Sequence, residues 1–162
     1  MSDTEFVYVT YIASTPEEIW KAITDADISQ RYWGNANVSQ WKPGSPWKHV
    51  GGASKDTLIQ GEVVESVPPK RLVVTWAAPA DAGNKAATSR VTFTLEPVSN
   101  DQRRAHHLVE KGAANMVRLT VVHDRLQPGS EMVRGITDGW PRVLSSLKSF
   151  LETGRPLNVW AA

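Results

Sequence analysis

Cysteine is absent from this 162-residue chain. That excludes disulfides, thiolate metal sites and a cysteine nucleophile, and it suits a reducing compartment. Charge of one sign is also lacking: 18 Lys plus Arg against 17 Asp plus Glu leave a net charge of +1. Dedicated nucleic-acid binders and polybasic membrane-surface proteins carry a basic excess, so both classes are set aside. Long apolar runs are missing too. Stretches such as Leu72-Val73-Val74 fall far short of the roughly 20 residues that span a bilayer. The start, Met1-Ser2-Asp3-Thr4-Glu5, lacks the charged-then-apolar pattern of a secretory signal, so a cytoplasmic location is expected. Without such a signal, the glycosylation sequon Asn37-Val38-Ser39 is idle. No Gly-rich phosphate loop precedes a helix, and neither G-x-S-x-G nor H-E-x-x-H occurs. The four histidines, His49, His106, His107 and His123, do not pair at a helical or hairpin ligand spacing. No metal site and no cofactor are therefore expected.

What the chain has in excess is tryptophan: 7, against 3 Tyr and 3 Phe. The rest is ordinary for a globular domain, with 41% hydrophobic and 22% charged residues. The length corresponds to about one domain, long enough to bury a core without staples.

The order of elements can be read from periodicity and punctuation. Glu5 to Ile12 is rich in β-branched and aromatic residues and reads as a strand. Thr15 is a good N-cap, Pro16 suits the first helical turn, and Glu18 completes a capping box. Ile19, Ala22, Ile23 and Ala26 share one face of the helix that follows, which should run to about Thr24. Asp27 can cap a second short helix through Trp33, with Gly34 as its stop. Trp41 to Trp47 contains a Pro-Gly-Ser-Pro turn between strands, and Leu58 to Val67 is a strand whose Gly61 suggests a bulge or a bend.

Three strands alternate cleanly: Leu72 to Ala77, Arg90 to Glu96 and Met116 to Leu126. Their buried faces carry Leu72, Val74 and Trp76, then Val91, Phe93 and Leu95, then Val117, Leu119, Val121 and His123. That pattern implies an antiparallel sheet with one wet side. Ser99 to Asn115 is polar and aperiodic and reads as a loop. Ser130 caps a long helix to about Thr153, with Ile136, Trp140, Val143, Leu144, Leu147 and Leu151 at helical spacing. Gly139 and Pro141 are expected to kink it or delay its start, and Gly154 and Pro156 end it. Trp160 in the tail should dock on the body. The expected architecture is α+β: a curved sheet covering its dry face with the long helix, leaving a cavity where the two do not meet.

Trp76 and Trp140 come from a strand and from the long helix, so they can face each other across the interior. With Tyr32, Trp33, Trp41 and Trp47 they form either an aromatic pocket wall or a packed core. His123 lies on the interior face. It is either a polar contact or acid–base group for a ligand, or a satisfied histidine paired with a neighbour such as Asp124. His49 shares parity with Trp47 and is open to the same two readings. The expected ligand-binding set is Trp33, Trp41, His49, Trp76, Phe93, Leu119, His123, Trp140 and Leu144.

Several motifs together resemble a known family. They are Thr15-Pro16-Glu17-Glu18-Ile19-Trp20, Tyr32-Trp33-Gly34, Trp41-Lys42-Pro43-Gly44-Ser45 and Pro68-Pro69-Lys70-Arg71-Leu72-Val73, with Val121-Val122-His123-Asp124 and Gly139-Trp140-Pro141 near the C-terminus. The chain resembles the START-like, helix-grip (SRPBCC) superfamily, in the branch of homologues of the activator of the heat-shock-protein-90 ATPase, stand-alone bacterial type. The resemblance implies a single START-like domain over residues 1–162, with a tail from about 155. It also implies a hydrophobic cavity between sheet and C-terminal helix, and in some members a stress-response role. The functions it implies are binding of an apolar or aromatic small molecule, a co-chaperone-like interaction module, or a cyclase- or hydrolase-type enzyme using His123. The expected partners are a hydrophobic small molecule and, among proteins, a chaperone or a second copy of the chain.

Overall fold

The first strand, β1 (Phe6–Ile12), is an edge strand, and its alternation buries Ile12 while Val7, Val9 and Tyr11 stay exposed. The computed structural model describes residues 4–98 and 114–160. The polar stretch read as a loop lies outside the described residues up to position 113, and His106 and His107 lie within that span.

Helix α1 (Pro16–Thr24) starts as its sequence requires: Thr15 Oγ1 accepts from the Glu18 amide at 3.2 Å. The capping box is only half made, because the Glu18 carboxylate accepts the Ser14 hydroxyl at 2.8 Å. Helix α2 (Ala26–Trp33) is capped by Asp25, not Asp27: Asp25 Oδ1 accepts from the Ile28 amide at 2.9 Å. The same residue closes α1, its own amide donating to Lys21 O at 2.8 Å. Asp25 thus joins two helices with no linker between them. Gly34 ends α2 at φ 87°, a left-handed conformation that glycine adopts without steric cost.

The remaining strands are β2 (Asn35–Ser39), β3 (Pro46–Gly51), β4 (Thr57–Val67), β5 (Arg71–Trp76), β6 (Ser89–Pro97) and β7 (Val117–Asp124). With β1 they make one seven-stranded sheet in the order β1-β7-β6-β5-β4-β3-β2, antiparallel at every pairing. Gly61 is not a bulge. The register shifts fall between His49 and Val50 and between Val63 and Glu65. Gly61 is required for a different reason: a Cβ there would collide with the Thr75 carbonyl of the adjacent strand. Two 3-10 turns, Pro79–Asp81 and Lys85–Ala87, lie in the connection from β5 to β6.

Helix α3 (Glu131–Thr153) is capped by Ser130, whose Oγ accepts from the Val133 amide at 3.3 Å. Pro141 lies well inside it and does not delay its start. The helix lies on the dry face of the sheet. Its C-terminal half, with Leu144 and Leu147, packs into a core with Ile12, Ile19, Leu72, Leu95, Val117 and Leu119. After Gly154 the tail turns back along α3. The Leu157 amide donates to Ser146 Oγ at 3.0 Å, and Arg142 donates to Val159 O at 3.2 Å.

Candidate functional site

Toward the N-terminal half of α3 the sheet and helix part. Met132, Gly135, Ile136, Gly139, Trp140 and Val143 recur at spacings of three and four and form the helix side of a cavity of about 840 Å³. Two glycines on that stripe make room. An added Cβ at Gly135 meets nothing within 4 Å, and at Gly139 only the Trp160 ring at 4.0 Å. The opposite side comes from Trp33, Asn35, His49, Leu58, Ile59, Trp76 and Ser89. Asp81, Leu126, Gln127 and Ser130 come from the connections around it, Glu131 from the first turn of α3, and Trp160 from the tail.

The aromatic residues form one continuous cluster. Trp140 has Trp33 and Trp76 each at 5.5 Å between ring centres, and Phe93 at 5.8 Å in an edge-on arrangement. Trp33 also packs on the His49 ring at 4.5 Å. Wall and core are therefore the same residues: Trp33, Trp76 and Trp140 are buried, yet each borders the cavity. Trp41, Trp47 and Phe93 lie behind this wall around a separate void of about 10 Å³, no larger than one water molecule needs. Trp76 Nε1 is buried and has no hydrogen-bond partner among the described residues.

His49 is held by an oriented amide. Asn37 Nδ2 donates to Ile23 O at 2.9 Å, which leaves Asn37 Oδ1 to accept from His49 Nδ1 at 2.7 Å. The lone pair of His49 Nε2 then receives Asn35 Nδ2 at 3.2 Å. Burial lowers the pKa of His49 to about 4, so the ring is neutral. The Asn37 amide, the acceptor of the sequon, is buried and used up in this chain of bonds.

His123 belongs to a second such chain. Trp140 Nε1 donates to His123 Nδ1 at 3.1 Å. An indole N–H can only donate, so the ring proton sits on Nε2 and is given to Ser89 Oγ at 2.7 Å. The Ser89 hydroxyl donates in turn to Trp76 O at 3.0 Å. His123 is fully buried, and burial lowers its pKa to about 3 against a small opposing effect of Asp124. Asp124 does not bond to it; its carboxylate takes a two-pronged ion pair from Arg90 on the wet face.

Of the residues expected at the site, Trp33, His49, Trp76 and Trp140 border the cavity together. Trp41 and Phe93 border the small void behind, and Leu119, His123 and Leu144 are enclosed in the core and border neither. Strand parity puts a residue on the correct face but does not say how far along that face the helix lifts away. Asn35, Leu58, Ile59, Ser89, Ile136, Val143 and Trp160 border the cavity and were not among the expected residues, and Trp160 is the one aromatic of these. Its indole N–H donates to Trp33 O at 2.8 Å, and its ring lies against Gly34. The legible signal for this region was the pair Gly135 and Gly139, one turn apart on the apolar face of α3.

Residues 13–152 match the family model of the Activator of Hsp90 ATPase homolog 1-like proteins. The chain belongs to this family. The matched span ends before the tail that carries Trp160. Among solved structures, an HSP90 activator from Plasmodium falciparum is 21% identical with a TM-score of 0.67, over 94% of this chain and 98% of that one. The Aha1 dimer from Colwellia psychrerythraea is 23% identical with a TM-score of 0.65, over 93% and 97%. CalU16 from Micromonospora echinospora is 18% identical with a TM-score of 0.58, over 93% and 77%. These are likenesses of fold, and the fold is the helix grip. No curated relative matches the sequence. Among the described residues, no helix is long and apolar enough to cross a membrane, and no group of acidic, His or Cys side chains could hold a metal ion.

Proposed function

We propose that this protein binds an apolar or aromatic small molecule in the cavity between the sheet and α3. The observation that carries the reading is the cavity itself, about 840 Å³ with Trp33, Trp76, Trp140 and Trp160 in its walls. Small-molecule sites span about 300–1,000 Å³ and are mostly apolar with a few placed polar groups. Here those groups are Asn35, His49 and Ser89. Affinity arises from buried apolar area, at roughly 25 cal/mol per Å² before ordering costs. The test is a titration with sterols, flavonoids, fatty acids and polyketide-like aromatics, followed by intrinsic tryptophan fluorescence. Saturable quenching at micromolar levels by one class is expected. No response to any class would reject the reading.

A cyclase or hydrolase using His123 has less support, since both ring nitrogens are engaged inside the core and the cavity does not reach them. A co-chaperone-like role has a different observation behind it. Val7, Val9 and Tyr11 stand exposed on the edge strand, an apolar stripe open to a chaperone or to a second copy of the chain. Saturable binding to a heat-shock-protein-90 chaperone, with a changed ATPase rate, would move the weight to that role. Either role fits a cytoplasmic stress-response protein, a setting that agrees with a chain free of cysteine.

A further inference from the structure

The charge on the cavity wall is of one sign. Asp81 and Glu131 line it, and among the described residues no lysine or arginine does. The two carboxylates come from separate elements, Asp81 from the turn after β5 and Glu131 from the first turn of α3. Neither has an ion-pair or hydrogen-bond partner for its side chain among the described residues. Elsewhere Glu65, Glu96, Asp124, Asp138 and Glu152 each meet a basic side chain, while among the described residues other surface carboxylates such as Glu17 and Glu62 do not; what sets Asp81 and Glu131 apart is that both border the cavity. His49, the remaining titratable group in the wall, is neutral.

Three features oppose this field: the Trp76 indole N–H in the wall, unpartnered among the described residues; Arg134, donating to Gly129 O beside the rim residue Ser130; and the start of α3. The N-terminus of α3 opens on the cavity and carries roughly half a positive charge. The two carboxylates carry the larger formal charge, with Asp81 half-buried and Glu131 exposed at the rim, and Ser130 already occupies one of the free amides of the helix. The aromatic wall acts in the same sense as the carboxylates, because the face of an indole ring is negative and attracts cations. Trp160, half-exposed at the cavity, is the ring most open to such a contact.

We infer that the cavity selects organic cations: an apolar or aromatic body bearing a protonated amine or quaternary ammonium group, in preference to an organic anion such as a fatty acid. The inference rests on the reading of the cavity as a ligand site. It is tested with three probes on one ring system, (1-naphthylmethyl)trimethylammonium, its neutral carbon isostere 1-neopentylnaphthalene, and 1-naphthaleneacetate, each titrated calorimetrically into the full chain. The cation is expected to bind at least about tenfold tighter than the anion near 50 mM NaCl, with the gap narrowing near 500 mM as the field is screened. In Asp81→Asn/Glu131→Gln, checked for folding by circular dichroism, the gap should shrink to about threefold or less. The salt series on the unaltered protein reads the same field without relying on the variant. Equal or tighter binding of the anion, or a gap that neither salt nor the double variant moves, overturns the inference. If the neutral probe binds and the cation shows no advantage over the anion, the cation preference fails and the cavity reading survives. If none of the three binds, the cavity reading fails and takes this inference with it.

Discussion

The buried histidines couple the interior to pH. His49 and His123 are each fixed as one tautomer by donors and acceptors that leave no room for a second proton: Asn35 and Asn37 around one ring, Trp140 and Ser89 around the other. Their pKa values in the folded protein, about 4 and about 3, lie below the value of about 6.5 in an unfolded chain. Below pH 6.5 the unfolded state therefore binds more protons than the folded state, and stability is lost as pH falls toward 4. Each ring should withdraw about 2 kcal/mol between pH 7 and pH 5. Urea unfolding at a series of pH values checks this. In His123→Gln the slope attributable to the histidines should fall by about half. The same variant should lose about 2–4 kcal/mol at neutral pH, because Trp140 Nε1 and Ser89 lose a partner inside the core. An unchanged slope would mean that the ring is hydrated and the network is not closed.

At the scale of elements, α3 carries both a core face and a cavity face on one helix, and glycine marks the division. Gly135 has a helical conformation and open space where a Cβ would stand, so nothing in its surroundings requires glycine. Gly135→Ala should stabilise the protein by about 0.5–1 kcal/mol through helix propensity alone. That corresponds to a rise in melting temperature of about 1–4 °C, readable by calorimetry. A fall would show that the helix is distorted at that turn. The elements were largely legible because their signals are local. Thr15-Pro16 announces α1, Gly34 and Gly154 end their helices in left-handed conformations, and the alternation of Val91, Phe93 and Leu95 gives the buried face of β6. What escaped reading was non-local. Nothing near Gly61 reveals that the Thr75 carbonyl presses on it, and Asp25 outranked Asp27 as a cap because α1 ends directly against α2. For the site, strand parity put His123 and Leu119, and helical spacing put Trp140, on the interior side alike. Only the depth along the sheet at which α3 lifts away separates Trp140, at the cavity, from the other two. Trp160 lay outside any periodic pattern, and its place depends on a tail that folds back over Trp33.

For the whole molecule, the cavity is a volume left unfilled at a cost in packing, and three parts enclose it: sheet, helix and tail. If the space is kept for a ligand, filling it should raise stability and abolish binding together, since a binding site competes with a solid core for the same volume. Two substitutions separate enclosure from filling. Trp160→Ala removes the bond to Trp33 O and the ring beside Gly34, at a cost of about 1 kcal/mol, and opens the mouth. A bound neutral aromatic such as 1-neopentylnaphthalene should then dissociate faster, with little change in the fold. Gly139→Leu works from inside. Its Cβ would meet only the Trp160 ring at 4.0 Å, so the new side chain starts in open space on the cavity wall, beside Trp160. Helix propensity and the added apolar contact both favour the variant by about 1 kcal/mol or more, a rise of about 2–4 °C in melting temperature. The same variant should lose binding of the neutral probe. A lower melting temperature would mean that the space beside Gly139 closes in solution. In that case Trp33, Trp76 and Trp140 are core residues alone, and the exposed edge strand β1 becomes the surface through which the protein acts.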